Sequence, residues 1–279
     1  MDGTLSFRVF PVTEEQDGME QGISGMVDTH CHLDEEVFAQ DFPLVLARAK
    51  EAGVERMVVP GYSPHYWNRL QTVTALHRDC LSAAYGLHPA YAGRMGQGWL
   101  AELQTFLGTA VAVGEIGLDG SPGSPPPDRQ KPVLEAQLEL ARRMDLPVIL
   151  HARGATEALL QMLRSYRGIR GVIHSFSGSP EQAGKALDLG LYLGVGGAIT
   201  HDRALRLRRT IRALPAESIL LETDAPYQPP SGYGGRRNEP AFLPQTLRCV
   251  AALRGEAAGV LAGRTAENAR FLFCLRGQS

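Results

Sequence analysis

Lysine is scarce in this chain. Of its 28 basic residues only Lys50, Lys131 and Lys185 are lysines, and the rest are arginine. Arginine grips phosphates bidentately, but the same bias arises from GC-rich coding, so the bias alone assigns nothing. There is no excess of positive charge. The 28 basic and 30 acidic residues leave a formal net charge of -2. That excludes wrapping nucleic acid with the whole surface, which needs a strongly basic exterior. Any nucleic-acid role must rest on a local patch or on metal ions. No apolar run is long enough to cross a bilayer, so no membrane partner is expected. Residues 1–25 lack a basic segment followed by an apolar one, which argues against a secretory signal. The four cysteines (Cys31, Cys80, Cys249 and Cys274) are scattered, with no C-x-x-C pair. Four free thiols in a reducing compartment are expected, and with them a cytoplasmic location.

What the chain does have is one repeated unit. A short apolar run is followed by a turn and then by a stretch of helical periodicity. Strands are expected at 26–33, 56–61, 82–88, 111–118, 147–152, 172–176, 191–196 and 219–223. Helical stretches between them include 38–52, 129–144, 156–166, 180–189 and 203–214, and a last pair covers 240–254 and 256–273. Eight such units over about 250 residues predict an α/β fold, a single-domain (β/α)8 TIM barrel over residues 26–275. A doubly wound open sheet is the competing fold, weakened because no G-x-G-x-x-G follows the first strand. Residues 1–25 form an N-terminal extension of unknown structure, in which 5–12 alternates enough for one strand. Two Pro/Gly-rich stretches, 120–127 and 228–235, follow strands and read as loops of the catalytic face.

Side chains suited to metal fall at the strand C-termini, where barrel enzymes build their sites. His30 and His32 end the first strand, Glu115 lies in the fourth, His151 ends the fifth, His174 lies in the sixth and Asp224 follows the eighth. His30 and His32 are two apart and so share a face of a strand, with Asp28 beside them. Two imidazoles on one face of an apolar strand favour metal binding over hydrogen-bonded core roles. Glu115 sits in the apolar run AVAVGEIGLD. A buried carboxylate needs a partner, either a metal ion or a buried arginine such as Arg153. Asp224 in LETDAP suits either ligation or proton transfer from a bound water. For Glu222, two residues earlier, a buried ion pair is the competing role. Four histidines and two carboxylates exceed the needs of one four-coordinate ion and fit two ions bridged by a carboxylate. Some two-metal barrels bridge their ions with a carbamylated lysine. No lysine here ends a strand, and Glu115 is the natural substitute.

These residues, in this order, resemble the TatD family of metal-dependent deoxyribonucleases, within the amidohydrolase superfamily. The motifs that carry the resemblance are DTHCHLD (28–34), GLHP (86–89), GEIGLD (114–119), PVILHAR (147–153), IHSFSG (173–178), LETDAP (221–226) and RNEP (237–240). The resemblance implies one metal held by His30, His32, Glu115 and Asp224, and a second held by Glu115, His151 and His174. It implies magnesium or manganese, although the histidine-rich shell also suits zinc. The implied reaction is hydrolysis of DNA phosphodiester bonds, trimming single-stranded or frayed strands from the 3′ end. Glu115 and Asp224 are the catalytic carboxylates, with Asp224 orienting or deprotonating the water. Arg153, His88 and Arg237 are the candidate substrate contacts, against pairing of Arg153 with Glu115 or Asp119 and a structural role for His88. Arg203, Arg206, Arg208, Arg209 and Arg212 share one helix, either as a solvated outer face or as a strand-binding patch. Where the family commonly has an aromatic after GEIGLD, this chain continues GSPGSPPPD (120–128), so substrate preference is not carried over. A small-molecule ester, lactone or phosphate hydrolase is the alternative for the same site, as is a nuclease subunit of a multi-protein defence complex.

Overall fold

The computed structural model describes residues 22–275; the strand expected at 5–12 lies outside them. The chain forms eight strands: β1 (Met26–Asp28), β2 (Val54–Gly61), β3 (Leu81–Tyr85), β4 (Ala112–Asp119), β5 (Val148–Arg153), β6 (Gly171–Ile173), β7 (Leu191–Val195) and β8 (Ile219–Leu221). They lie in chain order, and every neighbouring pair is parallel. The seam between β8 and β1 is bridged by Thr29 N–H donating to Leu221 O (3.0 Å) and Asp224 N–H donating to His30 O (2.8 Å). The sheet thus curls back on itself, and the expected (β/α)8 barrel is present as a single domain.

Helices α1 (Phe42–Glu51), α2 (Pro64–Leu76), α3 (Trp99–Phe106), α4 (Pro127–Met144), α5 (Thr156–Leu163), α6 (Pro180–Asp188) and α7 (Leu205–Ala213) connect successive strands. Helices α8 (Leu243–Arg254) and α9 (Ala258–Phe273) follow β8. Each lays an apolar stripe on the barrel. In α7, Leu207, Thr210 and Ile211 are buried, at the i, i+3, i+4 spacing of one helical face, while arginines hold the other. Among the described residues no helix is long and apolar enough to cross a membrane.

The barrel interior is filled by a layer drawn from the strands: Val27, Val58, Ala84, Ala112, Ile149, Val172 and Leu220, with Tyr192 packed against it. Ile149, Val172 and Leu220 each precede an inward-pointing polar residue by two positions. The layer is therefore the floor beneath the candidate ligands. Two buried glutamines of α4 fix the rim. Gln137 accepts from Leu87 N–H (2.7 Å) and donates to Leu87 O (3.1 Å), and Gln130 does the same for Asp119 at 2.8 Å on each side. The residues beside and within these clamps, His88 and Asp119, are thus held on rigid backbone.

Strands β1, β3, β6 and β8 stop earlier than the apolar pattern implies, at Asp28, Tyr85, Ile173 and Leu221. Strand β1 ends at Asp28 because the next amides divide between neighbours: Thr29 binds β8, Cys31 binds Val58 of β2 (3.1 Å) and His32 binds Ala225 (2.6 Å). Strands β6 and β8 end before Ser175 and Asp224, which take left-handed backbone (φ 47° and 57°). Short polar residues tolerate that region, and such turns sit at functional sites.

Candidate metal centre

The six expected ligands converge. His30 Nε2 and His32 Nε2 lie 3.2 Å apart. Glu115 Oε2 is 3.5 Å from His30 Nε2 and 3.7 Å from His32 Nε2, and Asp224 Oδ1 is 3.6 and 3.5 Å from the same two atoms. A tetrahedron of bonds about 2.1 Å long has edges of about 3.4 Å, the spacing at which both carboxylate oxygens approach the two imidazoles, and His30, His32 and Glu115 together lie close enough to hold one divalent ion. The other oxygen of Glu115, Oε1, faces a second group. It is 2.9 Å from His151 Nδ1 and 2.8 Å from His174 Nε2, and those two nitrogens are 3.3 Å apart. Bonds of about 2.1 Å meeting near right angles leave ligand atoms about 3.0 Å apart, so this half fits an ion with open positions. His30 and His174 stack, with ring centroids at 3.9 Å, which brings the two halves side by side.

The electrostatics suit cations. Burial alone would raise the Glu115 carboxyl, but His174, His88 and His151 pull it well below the usual range. Asp224 is likewise lowered, because its contact with His32 and the charges of His30 and His174 outweigh its burial. The carboxylates act back on the rings. Burial disfavours charge on His32, yet Asp224 and Glu115 lift its pKa to about 9. The pocket therefore favours positive charge where a cation would sit. His30 is pushed the other way, to about 4, by burial and by His174.

Around these ligands lies a supporting shell. Asp119 Oδ2 is 2.9 Å from His151 Nε2 and so presents Nδ1 to Glu115. Such a carboxylate–imidazole contact fixes the orientation of a ligating ring. Asp119 was available in the sequence only as the residue ending GEIGLD, four positions from Glu115 and on its face. Asp28 is buried and accepts from Thr223 N–H (3.0 Å), the Thr223 hydroxyl and His30 N–H (3.2 Å). It ties β1 to the segment carrying Asp224 and is not part of the ligand set. Burial pushes its pKa to about 7, against those hydrogen bonds. Among the described residues the ion-pair contact found for Glu222 is with His174, whose Nδ1 lies 3.8 Å from Glu222 Oε1. That Oε1 accepts from Ser175 N–H, and burial together with the charges of Asp224, Asp28 and Glu115 drives the Glu222 pKa well up.

The three expected substrate contacts part company. His88 lines the cavity of about 640 Å³ over the ligands. Its Nδ1 accepts from Ala90 N–H (3.1 Å), which leaves the proton on Nε2, 3.5 Å from Glu115 Oε1. Burial lowers its pKa to about 4, so the ring is neutral. Arg153 lines the same cavity, is exposed, and its side chain has no hydrogen bond or ion pair among the described residues. The pairing weighed between Arg153 and Glu115 or Asp119 is absent there. Arg237 is elsewhere. Its guanidinium binds Asp41 through both terminal nitrogens (2.8 Å each), Glu239 (2.7 Å) and Val37 O (2.6 Å), and lies over the Phe38 ring at 4.6 Å. Both terminal nitrogens are taken, and it does not line the cavity.

The sequence profile of the TatD-related DNase family matches residues 27–274. The chain belongs to this family. It is a metal-dependent hydrolase of the TatD type, as its relatives are named. It is 40% identical over 256 residues to the Escherichia coli metal-dependent hydrolase YjjV, covering 90% of this chain and 98% of that one. It is 37% identical over 261 residues to a Klebsiella pneumoniae protein named 3′-5′ ssDNA/RNA exonuclease TatD, covering 89% and 97%. The crystal structure of the TatD homologue YjjV from Escherichia coli superposes with a TM-score of 0.87 at 38% identity, covering 91% of this chain and all of that one.

Proposed function

We propose that this TatD-family chain is a two-metal phosphodiesterase that trims single-stranded DNA from its 3′ end. One observation carries the reading. The two oxygens of Glu115 face two different imidazole groups at ligand spacing. A bridging carboxylate between two cation sites is the arrangement that clamps a phosphate. His30, His32, Glu115 and Asp224 would hold one ion, and Glu115, His151 and His174 the other. Magnesium or manganese fits the carboxylates, and zinc fits the imidazoles. Bound there, such ions polarise a phosphodiester and lower the pKa of the attacking water.

The chain's own residues supply the rest. Asp224 stays ionised, and its Oδ2, which accepts from the Gln228 amide, is placed to take the proton of that water. His88, neutral with its proton on Nε2, donates to a phosphate oxygen. Arg153, unpaired at the mouth, offers its fork to the same group. Arg237 has no part in this reading. The name of the Klebsiella relative supports single-stranded substrate and 3′-5′ polarity.

The test uses chelator-stripped protein and a 5′-labelled single-stranded oligonucleotide, with magnesium or manganese added back. A metal-restored ladder of shortened labelled products, missing with Glu115→Ala, is the expected result. A labelled mononucleotide released first would reverse the polarity. No cleavage by metal-loaded protein would sink the nuclease reading in favour of a small-molecule ester or phosphate.

A further inference from the structure

The cavity over the metal centre does not end there. A second cavity of about 480 Å³ adjoins it and shares Ala198 and Gln228 with it. Helix α7 runs past both, with Ala204 just before it lining the second and Leu207 the first. Gln228 forms the saddle between them. Its backbone is left-handed (φ 49°), and its amide donates to Asp224 Oδ2 and to Ser175 Oγ (2.9 Å). Gly197 lets the loop settle, since a Cβ there would meet Gln228 O at 2.4 Å.

The two cavities differ in charge. The first carries Glu115, Asp119 and Asp224 on its wall. The second carries no carboxylate. Its charged group is Arg203, which is exposed and makes no hydrogen bond or ion pair among the described residues. The remaining wall combines small groups, Ala198, Ala204, Pro229 and Gly234, with the His201 ring and the Gln228 side of the saddle. An unpaired guanidinium beside small residues and an imidazole ring suits a phosphate joined to a sugar and base. Neighbouring α7 adds Arg206, which is tied to Ser177 O at 3.0 Å on the rim of the first cavity.

We propose that the second cavity holds the nucleotide on the 5′ side of the scissile bond, with Arg203 on the next phosphate of the strand. This rests on the phosphodiesterase reading above and deepens it, because it makes the substrate a polynucleotide rather than a small diester. Arg203 is a binding residue and takes no part in the reaction.

The chemistry of short substrates gives the test. A dinucleotide lacking a 5′ phosphate contains the scissile phosphate and no second one. A trinucleotide contains both. In metal-loaded enzyme, Arg203→Ala should raise KM for the trinucleotide about fivefold and leave the dinucleotide unchanged, with kcat unchanged for both. Arg203→Lys should restore most of the difference. For a longer strand, the slope of log affinity against log salt should fall by about 0.7, the loss of one phosphate contact. Ala204→Phe, which fills the cavity without touching charge, should raise KM for both substrates, because each places a nucleoside there on the 5′ side of the scissile bond. Equal effects of Arg203→Ala on both substrates, or none on either, would overturn the subsite while leaving phosphodiester cleavage standing. Failure of the wild type to cleave either substrate would overturn the reading itself, and the subsite with it.

Discussion

Two clusters of charged residues sit on this barrel, and they are built on opposite terms. In one, Arg48 and Arg237 meet Asp41 and Glu239 at 2.7–2.9 Å, and the charges cancel. The arginines hold Asp41 and Glu239 below the usual carboxylate range, and each of the four carboxylate oxygens accepts from an arginine. In the other, Glu115 meets imidazoles and Asp224 meets imidazoles and the Gln228 amide, with no arginine or lysine, and their oxygens converge with ring nitrogens on shared points inside a cavity. The lesson is about satisfaction. A cluster whose donors and acceptors neutralise one another holds the chain together, here joining the loop after β8 to the start of α1. A cluster whose acceptors crowd together with no cation of their own invites one.

Substitutions should therefore act differently in the two places. The largest effect is expected at Glu115, which serves both halves of the centre. Glu115→Ala should cut hydrolysis by about 10³-fold or more and reduce metal stoichiometry by calorimetric titration, while the melting temperature stays close to wild type. A large loss of stability with metal binding intact would erase the contrast between the clusters. Asp224→Asn keeps the shape and an oxygen ligand but loses the base. It should lower kcat by about 10²-fold or more and retain most metal binding; turnover near wild type would remove Asp224 from that role.

Asp119→Ala frees the far side of His151. Metal affinity should weaken about 10- to 100-fold, with little change in kcat at saturating metal. An unchanged dissociation constant would make the Asp119 contact incidental. Arg237→Ala should show the reverse pattern to Glu115→Ala. About 1–2 kcal/mol of stability should go, read by denaturant unfolding, while kcat and KM hold. A raised KM with unchanged stability would put Arg237 back among the substrate contacts. The smallest effect belongs to Arg153→Ala, a rise in KM of about fivefold without loss of stability or metal.

The ligands were legible for a simple reason. Alternation along apolar strands fixes which residue of each strand points inward, and the βα repeat fixes which end of each strand is the mouth. His151 and His174 each follow a buried run by that rule, with Ile149 and Val172 two positions behind them in the floor. Less was legible where the backbone departs from a strand. His30 and His32 lie beyond the end of β1, and Asp224 beyond β8, and they meet because amides of residues 29–32 bond to several different neighbours. The supporting role of Asp119 was hidden because a carboxylate ending a strand can orient a ring, ligate an ion or pair with arginine. Only the position of the His151 ring decides between them.

The arginines mark the boundary of what sequence can determine. By itself, the order of residues determined the barrel, its catalytic face and the six side chains suited to metal, because each follows from local periodicity and chemistry. It gave Arg153 and Arg237 equal standing, since both follow a strand on the catalytic side. The tertiary structure separated them by bringing Asp41 and Glu239, from α1's start and the loop after β8, around Arg237 and leaving Arg153 facing the cavity. A charge is free or spent according to what the rest of the chain places within about 4 Å of it, and that distance is fixed only when the barrel closes.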